Sequence, residues 1–267
     1  MGRSYPPRAP SPPIVAPRPD DETAAGSAFR PAIPCRGGTN HAISAVMGLH
    51  SAFRRRFLEV LASIYIYNEH RGYTSLDRVL EAVRARCPGD TAFIAAVEKH
   101  RADEEKHYRM FKRWFELRGE MPLKVDRACG HIDHFIETVF GCTIEELDTE
   151  AIVAEPAAFE RLCRVIMITE QRGMAQVDVL LKNKHILSDK AMKRIFEVVE
   201  RDEPSHWMPY DSWLRANGRR PKATWRERWT DYWIHKSLML AKLPAVFLSR
   251  KTPRLTAWPD EDAAAYA

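Results

Sequence analysis

The chain lacks the sequence features of secreted, membrane-spanning and disulfide-stabilised proteins. Its five cysteines are odd in number and form no Cys-x-x-Cys pair, which favours reduced thiols over a disulfide framework. The N-terminus lacks the apolar core of a signal peptide, and no run of about 20 apolar residues is present to span a bilayer. No segment alternates apolar and polar residues as a half-buried strand does. These absences predict a cytoplasmic, all-α protein.

The prolines separate an N-terminal tail from a helical remainder. Nine of the eighteen prolines fall in the first 34 residues, where neither helix nor a packed core is expected. We therefore predict a disordered tail over residues 1–40, a helical bundle over 45–218 and a C-terminal extension over 219–267.

Four long helices are predicted within the bundle, because apolar residues recur with a period near 3.6. Asp90 is the predicted N-cap of the second helix and Ser188 that of the fourth. A long connection between the second and third helices contains one short helix over 131–141. The predicted long helices cover, in order, residues 53–83, 91–119, 158–184 and 188–218.

An internal repeat is the most informative feature of the sequence. Residues 68–80, NEHRGYTSLDRVL, align with residues 169–181, TEQRGMAQVDVLL, and both contain Glu-x-Arg-Gly. Residues 103–114, DEEKHYRMFKRW, align with residues 202–213, DEPSHWMPYDSW, and both contain Asp-Glu-x-x-His. The chain is therefore a duplicated helix pair, and each pair carries a Glu followed by a Glu-x-x-His.

The repeat places carboxylates and imidazoles on apolar helix faces. Residues three apart share a helix face, so each Glu-x-x-His directs two side chains at one spot. A buried carboxylate is very costly unless it is paired, protonated or metal-bound, and two divalent cations would neutralise four of them. This donor set suits iron or manganese. The repeated side chains are Glu69, Glu104, His107, Glu170, Glu203 and His206.

This pattern resembles the ferritin-like di-iron carboxylate family, in which a four-helix bundle carries Glu and Glu-x-x-His ligands. The resemblance covers roughly residues 57–213 and implies a ferritin-like four-helix bundle holding two iron ions, with manganese or a mixed pair as alternatives. By position it implies that Glu104 and Glu203 bridge the ions, that Glu69 and His107 complete one site, and that Glu170 and His206 complete the other.

Neighbours of these residues receive lesser roles. Asp103 and Asp202 precede the two Glu-x-x-His glutamates and are candidates for orienting the imidazoles. Three aromatic residues near the ligands are candidates for carrying electrons, although packing is the simpler role for each: Tyr73, Tyr108 and Trp207.

Two prolines depart from the family pattern. Pro204 and Pro209 flank His206, where they predict a kink or bulge that changes the aim of the imidazole and opens one site to a substrate. Three further histidines lie near the predicted ligands or in the long connection, and we assign them ordinary polar or orienting roles: His100, His131 and His134.

The resemblance implies an enzyme, a di-iron oxidase or monooxygenase that activates O2 to oxidise a hydrophobic substrate with electrons from an external donor. A ferritin-like or rubrerythrin-like ferroxidase or peroxidase is the main alternative, although the Cys-x-x-Cys iron site usual in rubrerythrins is missing. A tRNA-modifying di-iron hydroxylase and a metal-free structural bundle are further alternatives. The sequence is compatible with a homodimer but does not predict the oligomeric state.

The C-terminal region is basic and rich in tryptophan. Residues 212–254 contain eleven Lys or Arg against two Asp or Glu, and Trp225, Trp229 and Trp233 follow at four-residue steps. This composition suits an interfacial helix on an anionic membrane, at the inner face of the membrane. The alternative is that the tryptophans pack against the bundle and the bases are merely solvated. Nucleic acid is the least favoured partner, because no RNA-binding module is visible.

Overall fold

The computed structural model describes residues 39–262 and 264–266. Residues 44–267 belong to one compact unit, within the described ranges. The predicted disordered tail over residues 1–40 lies outside the described residues except for Thr39 and Asn40, which begin the first helix. The predicted bundle and C-terminal extension belong to one compact unit.

Helices dominate the described part of the chain, which confirms the predicted all-α class. It contains no strand, and its only bridge between extended residues pairs Leu123 with Arg254. A 3-10 turn at Arg127–Cys129 precedes α3, and a π-helical segment at Leu238–Lys242 joins α9 to α10. The helices are α1 (Thr39–Arg86), α2 (Thr91–Glu116), α3 (His131–Phe140), α4 (Thr149–Ala154), α5 (Pro156–Leu180), α6 (Lys184–Leu187), α7 (Lys190–Asp202), α8 (Pro204–Ala216), α9 (Trp225–Ser237) and α10 (Leu243–Leu248).

The bundle is formed by α1, α2, α5 and the α7–α8 pair. The α7–α8 pair packs against both α2 and α5, and α1 shares two apolar clusters with these helices. One cluster includes Val83, Val97 and Phe159, and the other includes Phe111 and Phe196. The long connection predicted between the second and third helices is present and contains α3 and α4.

The two predicted N-caps have different outcomes. Asp90 caps α2 as predicted, because its side chain accepts a hydrogen bond from the Phe93 amide at 3.0 Å. Ser188 is the wrong residue for the fourth helix. It ends the short helix α6 with helical backbone angles, φ −83° and ψ −12°, whereas Asp189 is extended and accepts from the Met192 amide at 2.9 Å.

The fourth predicted helix is two helices, because a proline interrupts it. Helix α7 ends at Asp202 and α8 begins at Pro204, whose missing amide is tolerated at the first position of a helix. The His206 amide donates to the Glu203 carbonyl at 3.0 Å, so the Glu203–His206 turn stays helical across the junction. The predicted helix is therefore interrupted at Glu203, α8 continues through Pro209, and His206 is fully buried.

Two accessory helices cover one side of the bundle, and each is held by an arginine of the repeat. Arg71 on α1 pairs with Asp133 on α3, with Nη2 to Oδ1 at 2.6 Å. Arg172 on α5 pairs with Asp231 on α9, with Nε to Oδ1 at 3.1 Å. The two accessory helices also pack on each other.

The end of the C-terminal extension returns to the bundle. The Leu255 amide donates to the Pro122 carbonyl at 2.9 Å, and the Lys124 amide donates to the Pro253 carbonyl at 2.7 Å. The ammonium of Lys112 then lies 2.9 Å from both carboxylate oxygens of Asp260. These contacts place the extension in the same unit as the bundle.

The tryptophans of α9 are largely exposed, so the packing role that the alternative gave them is wrong. Trp225, Trp229 and Trp233 are 72%, 57% and 53% exposed. The inner face of α9 is occupied instead by Glu227 and Asp231, which are buried and paired with arginines of α5. Among the described residues, no helix is long and apolar enough to cross a membrane.

We predict that Phe159→Ala destabilises the bundle by about 3–5 kcal/mol, because this fully buried ring packs edge-on against Trp213 and its loss leaves a cavity. Urea unfolding followed by circular dichroism measures the change. Leu117→Ala is the control, since this exposed side chain should change the free energy of unfolding by no more than about 0.5 kcal/mol. Equal losses in the two variants would contradict the assignment of this core.

Candidate metal centre

The bundle brings all six repeated side chains to one buried region. Glu69 comes from α1, Glu104 and His107 from α2, and Glu170 from α5. Glu203 lies at the α7–α8 junction, and His206 lies in the first turn of α8. Donor atoms of five of the six, all but Glu203, fall into two groups, and within each group all donor atoms lie within 4.8 Å of one another.

The first group consists of Glu69, Glu104 and His107. All three residues are buried, and the His107 Nδ1 atom lies 3.4 Å from the Glu69 Oε2 atom. This group contains the pair that the sequence assigns to one metal site.

The second group consists of Glu104, Glu170, His206 and an additional residue, His100. The His206 Nδ1 atom lies 3.1 Å from the Glu104 Oε1 atom and 3.8 Å from the Glu170 Oε2 atom. Glu104 belongs to both groups, so its carboxylate lies where a bridging ligand would. This group contains the pair that the sequence assigns to the other site.

Glu203 lies beside the second group and belongs to neither group. Its Oε2 atom lies 3.9 Å from the His206 Nδ1 atom, is buried and has no hydrogen-bond partner. A bridging role for Glu203 therefore stays a prediction.

The two aspartates beside the ligands contact the imidazoles of the opposite repeat. The His107 Nε2 atom lies 3.2 Å from the Asp202 Oδ2 atom, and the His206 Nε2 atom lies 3.5 Å from the Asp103 Oδ2 atom. Lys106 joins the two aspartates, with its ammonium on Asp103 and 2.7 Å from the Asp202 Oδ2 atom. Each imidazole thus presents Nε2 to an aspartate and Nδ1 to the glutamates.

The glycine in each Glu-x-Arg-Gly leaves room for a carboxylate from the partner helix. A Cβ atom at Gly72 would lie 2.5 Å from the Glu104 Oε2 atom, and one at Gly173 would lie 3.1 Å from the Glu203 Oε1 atom. Each glycine therefore accepts the glutamate of the Glu-x-x-His in its own half of the repeat.

Burial and crowding disturb the protonation of the glutamates. Burial raises the pKa values of Glu69 and Glu203 well above the ordinary value, and neighbouring carboxylates add to the rise. Burial acts in the same direction on Glu104, but the neighbouring imidazoles of His100 and His206 outweigh it and lower the pKa of that carboxyl well below its ordinary value. The cluster therefore lacks positive charge of its own for all four carboxylates.

The donor set fits a pair of divalent metal ions. The Nδ1 atoms of His107 and His206 are buried and lack an aligned hydrogen-bond partner, although carboxylate oxygens lie close by. Two ligands about 2.1 Å from one ion and at right angles to each other lie about 3.0 Å apart. The distances of 3.1 Å from His206 to Glu104 and 3.4 Å from His107 to Glu69 are close to this spacing. Cations would also remove the repulsion among the glutamates.

The aromatic candidates lie away from the donor groups. The Tyr108 hydroxyl donates to Asp260 at 2.6 Å, Tyr73 packs on Tyr108, and Trp207 packs on the apolar core. The tyrosines that do reach the site are Tyr65 and Tyr210. Tyr65 lines the cavity beside Glu69, and the Tyr210 hydroxyl lies 3.4 Å from the His100 Nδ1 atom.

The three histidines assigned ordinary roles have different surroundings. His134 is partly exposed and lies 3.7 Å from Glu137. His131 is buried, and its Nε2 atom lies 3.2 Å from the Asp231 Oδ1 atom at the edge of the cavity. His100 lies inside the second donor group, where sequence reasoning did not place it. Its position four residues before Glu104, one helical turn away, was the signal for it.

A cavity of about 120 Å³ adjoins the four glutamates. It has room for a few water molecules or a small ligand. Side chains of α3 and the π-helical segment cover it, including Ile132 and Leu238. Its apolar wall consists of Ile64, Leu76, Ile132, Ile166 and Leu238.

Comparisons with protein-family models, curated proteins and solved structures find no match to this chain. The interpretation of the site therefore depends on its residues and their geometry.

We predict that Gly72→Ala weakens metal binding without unfolding the protein. The new methyl group would overlap the end of the flexible Glu104 side chain and displace the carboxylate shared by both donor groups. Alanine in a helix interior is otherwise more favourable than glycine by about 1 kcal/mol. Metal content after equilibrium dialysis and thermal unfolding measure the two effects.

Gly48→Ala is the matched control, because the same change in the same helix meets no atom within 4 Å. Gly173→Ala should have a smaller effect than Gly72→Ala, since its contact is longer. Unchanged metal content in Gly72→Ala would contradict the proposed location of the centre.

Proposed function

We propose that the protein is a ferritin-like di-metal oxidase or monooxygenase, with iron as the principal metal and O2 as the oxidant. The supporting observation is the pair of donor groups that share Glu104, each with an imidazole nitrogen facing carboxylates. When bound, the two ions would supply the redox chemistry that reduces O2, with electrons from an external donor.

The chain's own residues would hold and shield this centre. Asp202 accepts from the Nε2 atom of His107, and the Asp103 carboxylate lies 3.5 Å from the Nε2 atom of His206, so both Nδ1 atoms face the glutamates and are free to bind metal. Tyr65 places a buried hydroxyl in the cavity, and burial followed by the charges of Glu69 and Glu203 raises its pKa, so it keeps its proton. That hydroxyl can donate a hydrogen bond to a small ligand in the cavity.

The lining of the cavity supports the proposal of an apolar substrate. Its wall opposite the glutamates is lined by aliphatic side chains, which would exclude water and accept hydrocarbon. A volume of about 120 Å³ admits O2 and a small group, but a larger substrate needs the cover to move. That cover is held by the contacts of Asp231 with His131 and Arg172.

The charge distribution of α9 and α10 supports an anionic lipid bilayer as the source of that substrate. The acids Glu227 and Asp231 face inward and are paired, whereas Arg226, Arg228 and Lys251 are exposed. Large apolar side chains of the same region are also exposed. The docking face, as we call it, contains Trp225, Trp229, Tyr232, Trp233, Met239, Leu240 and Leu248. Aromatic residues among bases suit the interface of anionic lipid.

Metal content tests the proposed centre. The purified protein should hold two metal ions per chain, and Glu104→Ala and Glu203→Ala should each abolish that content, because both carboxylates would bridge. His131→Ala is the control, and it should retain both ions. Elemental analysis gives the metal and its stoichiometry.

Other outcomes of the same measurement would decide against the proposal. A folded, metal-free protein that takes up no metal would assign a structural role to the bundle. A multi-subunit shell with many irons per chain would indicate iron storage, since an oxidase should stop at two.

Vesicle binding tests the docking face. We expect co-sedimentation with vesicles containing phosphatidylglycerol, weaker binding to neutral phosphatidylcholine, and a loss of about tenfold or more in the variant Trp229→Ala/Trp233→Ala, because two interfacial anchors are removed. Leu117→Ala, an exposed apolar change outside the extension, should bind as the wild type does.

Equal binding of the double variant and the wild type would contradict the docking face. Retention on RNA in place of anionic vesicles would assign the basic surface to nucleic acid.

A further inference from the structure

We infer that His100 is a third imidazole ligand, which makes the two metal sites of this centre chemically unequal. The inference depends on the proposed two-metal centre and goes beyond the ligand set that the repeat gives. His100 would bind through Nε2, together with Glu104, Glu170 and His206. The other site would keep a single imidazole, that of His107.

The first observation is an unpaired buried nitrogen aimed at carboxylates. The His100 side chain is fully buried, and its Nε2 atom has no hydrogen-bond partner. That atom lies 3.4 Å from the Glu170 Oε1 atom and 3.7 Å from the Glu104 Oε1 atom. An imidazole nitrogen left unpaired among carboxylates costs free energy unless a cation binds there.

The second observation is that His100 has the same surroundings as the two repeated histidines. Each of the three rings turns one nitrogen toward the glutamates and the other toward an outer oxygen. For His100 the outer oxygen is the buried Tyr210 hydroxyl, 3.4 Å from Nδ1. A histidine that binds metal through one nitrogen usually donates its other N–H to such a partner, which fixes the tautomer.

The third observation is the position of the His100 ring relative to His206. The two rings stack with centroids 4.3 Å apart and an angle of 21° between their planes. Their inward nitrogens therefore approach the same two glutamates, Glu104 and Glu170. Two nitrogens and two carboxylates would surround one ion.

The internal repeat shows that this arrangement is specific to one half of the chain. Alignment of Glu104 with Glu203 places Val199 opposite His100. Val199 is buried in the apolar core and offers no ligand. The duplicated sequence therefore breaks its symmetry at this position, next to the centre.

Unequal donors imply unequal metal preferences. Imidazole suits iron better than it suits harder ions, whereas carboxylate oxygens suit manganese. The site with two imidazoles should therefore retain Fe(II) in competition with Mn(II), and the site with one imidazole should discriminate less. The structure thus favours iron at the His100 site when both metals are offered.

The variant His100→Val tests this role, because it gives the first half the residue that the second half already has. Pulsed electron paramagnetic resonance of the mixed-valence di-iron protein counts the coupled imidazole nitrogens. We expect three in the wild type and two in His100→Val. Titration with Fe(II) should show one site weakened by about tenfold or more, while the other stays within about twofold.

The variant His100→Gln separates a ligand from a residue that merely positions Glu170. Glutamine keeps an amide that can donate to the carboxylate, but it is a poor metal ligand. If His100 is a ligand, His100→Gln loses the third nitrogen coupling and the affinity as His100→Val does. Wild-type affinity in His100→Gln, or two couplings in the wild type, would overturn the inference.

His134→Val is the matched control, since this partly exposed histidine lies outside both donor groups. It should retain three nitrogen couplings and both affinities. Failure of the inference is distinguishable from failure of the proposed function. A wild-type protein with two ions and two imidazoles contradicts only the role of His100, whereas a protein that binds no metal contradicts the two-metal centre itself.

Discussion

Four glutamates clustered inside the bundle, three of them buried and Glu170 partly buried, are the constraint on which the rest of this structure depends. Buried carboxylates without compensation repel one another and lose their hydration, so the surrounding residues must supply protons, hydrogen bonds or cations. The chain supplies part of this through His206, whose pKa lies well above the ordinary value despite burial, because Asp103, Glu104 and Glu170 surround it. Glu69 and Glu203 remain with raised pKa values. Metal ions would complete the compensation.

The repeated Glu-x-Arg-Gly explains how such a cluster is assembled twice in one chain. In each copy, the glutamate enters the cluster, the glycine leaves room for a carboxylate from the next bundle helix, and the arginine points outward to an accessory helix. The arginines pair with Asp133 on α3 and Asp231 on α9. The same four-residue motif therefore positions candidate ligands and attaches the cover of the cavity.

Sequence reasoning predicted the helices and the six repeated residues, because both are periodic. Apolar spacing marks helix faces, and a carboxylate repeated on such a face needs a reason to be there. The repeat could not reveal His100, because Val199 occupies the equivalent position and the duplication carries no signal.

Contacts between elements that are distant in sequence could not be predicted from the sequence either. The crossed contacts of Asp103 with His206 and of Asp202 with His107 depend on how α2 packs on the α7–α8 pair. Ser188 failed as a cap because the unpredicted helix α6 ends there, which left Asp189 as the first extended residue. Both serine and aspartate are favourable N-cap residues. Because α6 ends at Ser188, the N-cap of α7 is Asp189.

The C-terminal extension both covers the cavity and carries the exposed tryptophans and bases. Its inner side covers the cavity through Leu238 and attaches to α5 through Asp231. Its outer side carries the exposed tryptophans and bases of the docking face. Because α9 and the π-helical segment form one continuous helical run, a surface that bound the outer side as proposed would also act on the cover of the cavity. π-Helical segments are frequent at functional sites, and this one begins at the residue that covers the cavity.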